Sequence, residues 1–227
     1  MAVANKLDGP RATPASGNEA EHLIVMLHGL GADGNDLFGL TPLLAQTFPN
    51  AAFVAPNAPD PCDMAPMGHQ WFSLKDRDPE VILAGVRAAA PVLDAFIDDE
   101  LKAHGLADDK LVLLGFSQGT MMALHVALRR PNACAAVIGY SGALIAPGFL
   151  DDELKSRPPV LLVHGEDDDV VPPQALAAAE TALLAQNVTV YSQMVPGLAH
   201  GIDENGLRMG IGFLMESLGS LLPGDNA

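Results

Sequence analysis

Ser117 sits in Gly115-Phe116-Ser117-Gln118-Gly119. The run fits G-x-S-x-G, which can hold a nucleophilic serine on a sharp turn between a strand and a helix. The same five residues also describe a tight turn with a capping serine, so partner residues must decide. A serine hydroxyl is a weak nucleophile until a base takes its proton. Imidazole suits that task, and a carboxylate can fix its tautomer. Downstream of Ser117 come Glu166, Asp167, Asp168 and Asp169 in a row, and then His200. Serine, acid, histidine is one of the chain orders in which such triads occur. His200 is therefore the expected base. The residues alone leave the acid open, since four consecutive acids also describe a charged, solvated turn. Their spacing does not fit a calcium loop, which needs alternating ligands and a glycine at a fixed offset.

The flanking elements have the character such a site needs. Leu111 to Leu114 are a continuous apolar run, as in a strand buried on both faces of a parallel sheet. A helix is expected from Gln118, which puts Ser117 at a helix N-terminus, where backbone N–H groups face developing negative charge. Side chains at Gly115 or Gly119 would clash on such a turn. Leu23 to Leu27 read as a second buried strand. It runs into the glycine-rich loop His28-Gly29-Leu30-Gly31-Ala32-Asp33-Gly34. That loop has neither G-x-G-x-x-G nor Lys followed by Ser or Thr, so a nucleotide site is not expected. It can instead supply an oxyanion donor, most naturally Leu30 N–H, beside Gln118 N–H from the residue after the nucleophile.

The rest alternates strand and helix. A helix is expected over Leu37–Thr47, then a strand at Ala51–Ala55. Pro56–Ser73 is a long loop holding Met64, Met67, Phe72 and Trp71, the one tryptophan. These four could line an apolar substrate groove or cap the core. Pro79–His104 has helical spacing and ends at Gly105. Strands follow at 133–140, 160–164 and 188–194, with helices at 173–186 and 205–222. The pattern predicts one α/β domain over residues 22–222, its mostly parallel central sheet flanked by helices on both faces. Residues 1–21 read as a flexible segment or a short hairpin. Ligands bind such sheets at the carboxyl ends of the strands. Ser117, the His28–Gly31 loop, Asp168 and His200 all fall just after strands, so they should converge.

Composition narrows the partners. A formal net charge of −16 over 227 residues argues against nucleic acid or an anionic membrane as the main partner. No apolar run is long enough to span a bilayer. The N-terminus carries no basic start with an apolar core, so no secretory signal is read. Two cysteines, Cys62 and Cys134, fit free thiols in a reducing, cytoplasmic compartment, with one disulfide as the alternative. His22, His69 and His104 read as loop or surface residues and His125 lies on the nucleophile helix. His28 and His164, at strand ends before glycines, should build hydrogen bonds within loops.

Taken together, the motifs resemble the carboxylesterase/phospholipase family of α/β-hydrolases that includes the acyl-protein thioesterases. They are Leu27-His28-Gly29-Leu30-Gly31, Gln70-Trp71-Phe72, Gly115-Phe116-Ser117-Gln118-Gly119, His164-Gly165-Glu166-Asp167-Asp168-Asp169-Val170-Val171-Pro172 and His200-Gly201. The resemblance runs from about Leu23 to the final helix. It implies Asp168 as the catalytic acid, Leu30 and Gln118 as oxyanion donors, and a compact hydrolase without a large cap domain. No metal and no cofactor is expected. The implied substrates are short- to medium-chain carboxylic esters, with lysophospholipids or S-acylated proteins as alternatives on the same triad. A non-catalytic binding protein on a hydrolase scaffold is the reading from another class. An apolar groove rim could also pair two copies of the chain or meet a lipid-bearing surface.

Overall fold

The structure is a computed structural model and describes residues 7–219. Residues 1–6 of the expected flexible start (1–21) and residues 220–222 of the expected final helix (205–222) lie outside the described residues. In chain order the strands are β1 (Arg11–Ala12), β2 (His22–Leu27), β3 (Ala51–Val54), β4 (Asp60–Pro61), β5 (His69–Gln70), β6 (Leu111–Phe116), β7 (Ala136–Tyr140), β8 (Val160–Gly165) and β9 (Val190–Val195). The helices are α1 (Gly34–Phe38), α2 (Thr41–Thr47), α3 (Pro79–His104), α4 (Gln118–Ala127), α5 (Leu150–Glu153), α6 (Gln174–Ala185) and α7 (Glu204–Ser217).

Seven strands form one sheet in the order β1-β3-β2-β6-β7-β8-β9. All neighbours in it are parallel except β1, which runs antiparallel to β3 at the edge. This is the single α/β-hydrolase-like domain expected, with helices on both faces and no large cap insertion. Side chains alternate along each strand, so each feeds two cores. Leu23, Val25, Leu27, Leu111 and Leu113 pack with α3, α4 and α6. Ile24, Met26, Val112 and Leu114 pack with α1, α2 and α7. From β3 the chain crosses back over β2 to build β6, so strand order reverses between β2 and β6. That switch point is where a crevice opens at the carboxyl edge.

Local rules explain the longest helix. Asp78 caps α3 by accepting from Glu80 N–H at 2.8 Å, Pro79 occupies the first turn, and Gly105 closes it at φ 67°. The helix expected over Leu37–Thr47 is instead two pieces, broken at Gly39 and Leu40. The expected loop Pro56–Ser73 contains the β4–β5 hairpin, whose two-residue strands are too short to show a period.

α4 is buried along its whole length, His125 included. Burial holds His125 to a pKa of about 4, with Arg129 adding to the effect, and its Nδ1 has no hydrogen-bond partner. In the unfolded chain the ring takes a proton near 6.5. Between those values unfolding binds a proton, so stability falls as pH drops from about 6.5 to about 4, by about 3 kcal/mol in all. A His125→Leu variant is expected to lack that part of the acid sensitivity. Urea unfolding midpoints at about pH 7 and pH 4.5 check it; equal losses in parent and variant would contradict it.

Candidate active site

The turn after β6 is strained and crowded. Ser117 sits at φ 53°, ψ −115°, a backbone region that L-residues seldom adopt. Its N–H donates to Tyr140 O at 2.9 Å. A Cβ on Gly119 would lie 1.8 Å from Leu27 O, and one on Gly115 would lie 2.5 Å from the Gly119 backbone. The glycines let helix α4 start against β2. Gly119→Ala is therefore expected to cost about 3 kcal/mol or more, since backbone must move. Chemical denaturation would show it; a loss below about 1 kcal/mol would mean the turn has slack.

The four consecutive acids separate in space. Glu166, Asp167 and Asp169 are exposed and Asp168 is buried. Asp168 Oδ1 accepts from Val170 N–H at 2.9 Å and Val171 N–H at 2.8 Å. Its Oδ2 lies 2.8 Å from His200 Nδ1. Burial pushes the carboxyl pKa up, but the hydrogen bonds from His200, Val171 and Val170 outweigh it and leave the group below its ordinary value. An ionised Asp168 makes His200 Nδ1 the protonated nitrogen and leaves Nε2 with a lone pair. His164 Nε2 also faces this acid, 3.2 Å from Asp168 Oδ2 and 2.9 Å from Val171 O. It pins the turn that presents Asp168. Sequence placed His164 in a loop network, but its neighbour there is set by the fold.

His200 is brought to the serine corner by contacts on both sides. Its ring lies against Phe116, the residue before Ser117, with centroids 4.8 Å apart. Ser141 Oγ, just after β7, donates to Gly201 O at 3.2 Å. Among the described residues the Ser117 hydroxyl makes no hydrogen bond, so it is uncommitted in this structure.

The loop after β2 is held from several directions. His28 Nε2 accepts from Ala58 N–H at 3.0 Å, and its Nδ1 is 2.7 Å from Gly29 O. Gly31 N–H donates to His69 O and His69 N–H donates to Ala32 O, both at 2.8 Å. Among the described residues neither Leu30 N–H nor Gln118 N–H donates a hydrogen bond.

Residues 11–218 match the phospholipase/carboxylesterase family. The chain belongs to that family. It is also similar to the crystal structure of esterase PE8, at 42% identity and a TM-score of 0.89 over 93% of this chain and 99% of that one. Esterase YpfH of Escherichia coli is 26% identical over 91% of each chain. Acyl-protein thioesterase 1 of Schizosaccharomyces pombe is 29% identical over 87% of this chain and 91% of its own. Phospholipase/carboxylesterase membership ties this fold to ester and thioester hydrolysis.

In this family member the four expected groove residues fall in two places. Trp71 and Phe72 are buried. The Trp71 indole donates to His28 O at 3.0 Å. The Gln118 side chain accepts from Trp71 N–H and donates to Phe72 O, each at 2.8 Å. Trp71 thus ties the hairpin to the loop after β2, and the Trp71 and Phe72 backbones tie it to Gln118 in the turn after Ser117. Met64 and Met67 are exposed on the β4–β5 hairpin.

Proposed function

We propose that the chain is a serine carboxylic ester hydrolase. Ser117 is the nucleophile, His200 the base, Asp168 its partner, and Leu30 and Gln118 N–H the oxyanion donors. The observation that carries the reading is the buried Asp168 holding His200 Nδ1 at 2.8 Å, with that ring against Phe116. His200 Nε2 takes the Ser117 proton as Oγ attacks the ester carbonyl. The two N–H groups stabilise the oxyanion of the tetrahedral intermediate. The alcohol leaves with that proton, and water then cleaves the acyl-enzyme by the same route. The favoured substrates are short- to medium-chain esters, supported by the likeness to esterase PE8 and esterase YpfH.

A second reading keeps the chemistry and changes the substrate to an S-acylated protein. The relatives named acyl-protein thioesterase favour it. Two free thiols, Cys62 and Cys134, are in keeping with a cytoplasmic setting. A fluorophosphonate probe should label Ser117, and p-nitrophenyl butyrate should be hydrolysed. Absence of both would end the reading. Higher kcat/KM on an S-palmitoyl peptide than on simple esters would favour the second substrate class.

A further inference from the structure

A cavity of about 230 Å³ is lined by Asp36, Leu37, Leu40, Phe116 and Ile202, the last of these two residues on from His200. It joins the α1 end of the oxyanion loop to the segment just after the base. Phe116 is shared, since it lines the cavity and lies against the His200 ring. The space falls short of the about 300–1,000 Å³ of sites that enclose a whole small molecule. It suits one half of an ester.

Which half follows from proton transfer. In acylation the Ser117 Oγ to acyl carbon bond forms and the acyl carbon to alkoxy oxygen bond breaks. The electron pair goes to the alkoxy oxygen, which receives the proton first taken from Ser117 by His200. The departing oxygen must therefore lie beside His200. The carbonyl oxygen points at Leu30 and Gln118 N–H, so the acyl chain takes the side left over. We propose that the pocket of Leu37, Leu40, Phe116 and Ile202 is the leaving-alcohol subsite, taking an apolar alcohol of a few carbons that is neutral or cationic. This rests on the hydrolase reading above.

The charge preference comes from Asp36. It is exposed at the pocket mouth, in the first turn of α1, and among the described residues its carboxylate has no hydrogen bond or ion pair. A leaving alcohol that carries a carboxylate meets that charge in a protein already at −16. Leu37, Leu40 and Ile202 offer nothing to offset it.

The test uses kcat/KM, which ends at acylation and so reads the step in which the alcohol is present. One series holds the acyl group as butyrate and varies the alcohol, methyl, butyl, or butyl bearing a terminal carboxylate. Another holds methanol and lengthens the acyl chain. Leu40→Trp and, separately, Ile202→Trp should each lower the butyl to methyl ratio about tenfold, leaving the acyl-length ranking in place. Asp36→Lys should raise the ratio of anionic to neutral alcohol about fivefold at low salt, and less at high salt. The proposal is overturned if the Trp variants change the acyl-length ranking and not the alcohol ratio, or if Asp36→Lys moves neither ratio. If the unsubstituted chain cleaves no ester and takes no fluorophosphonate label, the hydrolase reading itself falls, and this subsite with it.

Discussion

Ser117→Ala is expected to lower turnover on p-nitrophenyl butyrate by about a million-fold, the scale seen when a triad nucleophile is removed. The fold should survive. The Ser117 hydroxyl makes no hydrogen bond among the described residues, so its loss removes no structural contact. The turn geometry comes from the backbone bond to Tyr140 and from the Gly115–Gly119 contact. Ser117→Gly should be as inactive, yet more stable than the parent by about 1 kcal/mol, because glycine adopts φ 53° without strain. Purified variants, assayed for turnover and for thermal melting, check both halves. Parental turnover in Ser117→Ala would remove Ser117 from the mechanism. A Ser117→Gly variant less stable than Ser117→Ala would show that the turn is not strained.

Asp168→Asn is expected to cost about 10⁴-fold in kcat, for a reason visible in the hydrogen bonds. Val170 and Val171 N–H both donate to Oδ1, so the amide oxygen of asparagine belongs there. Its NH₂ then faces His200 Nδ1, which must become an acceptor. The proton moves to Nε2, the nitrogen that should accept from Ser117, and the base is lost. The same NH₂ also meets the His164 Nε2 side, 3.2 Å from the acid. Flipping the amide only moves the conflict onto the two valine N–H groups. Turnover within tenfold of the parent would mean that Asp168 does not set the His200 tautomer.

The same substitution carries a pH signature. The Asp168 carboxyl is held below its ordinary value in the fold. Its stabilising contribution is thus complete above the unfolded carboxylate pKa of about 3.9 and is lost as pH falls through the lower folded value. The stability gap between parent and Asp168→Asn should be widest near neutral pH and close in acid. Urea midpoints across that range measure it.

The turn around Ser117 was legible in sequence because its causes are contiguous. An apolar strand, two glycines that backbone crowds and a helix start occupy twelve neighbouring residues, and each follows from sterics within that stretch. α3 was legible for the same reason, since Asp78, Pro79 and Gly105 sit in its own termini. The choice of acid was different. Residue types alone leave Glu166, Asp167, Asp168 and Asp169 equivalent, and only the family resemblance pointed to Asp168. In the fold that carboxylate turns inward to two amides from its own turn and an imidazole 32 positions away. The sequence by itself determined the turn around Ser117, the alternation of strand and helix, and the family. Tertiary structure alone decided which acid meets His200, that Trp71 braces the loop after β2 while Gln118 braces Trp71 and Phe72, and that a pocket opens between α1 and Ile202. Strand order and cross-sheet contacts join residues far apart in the chain, and no local sterics or periodicity records those distances.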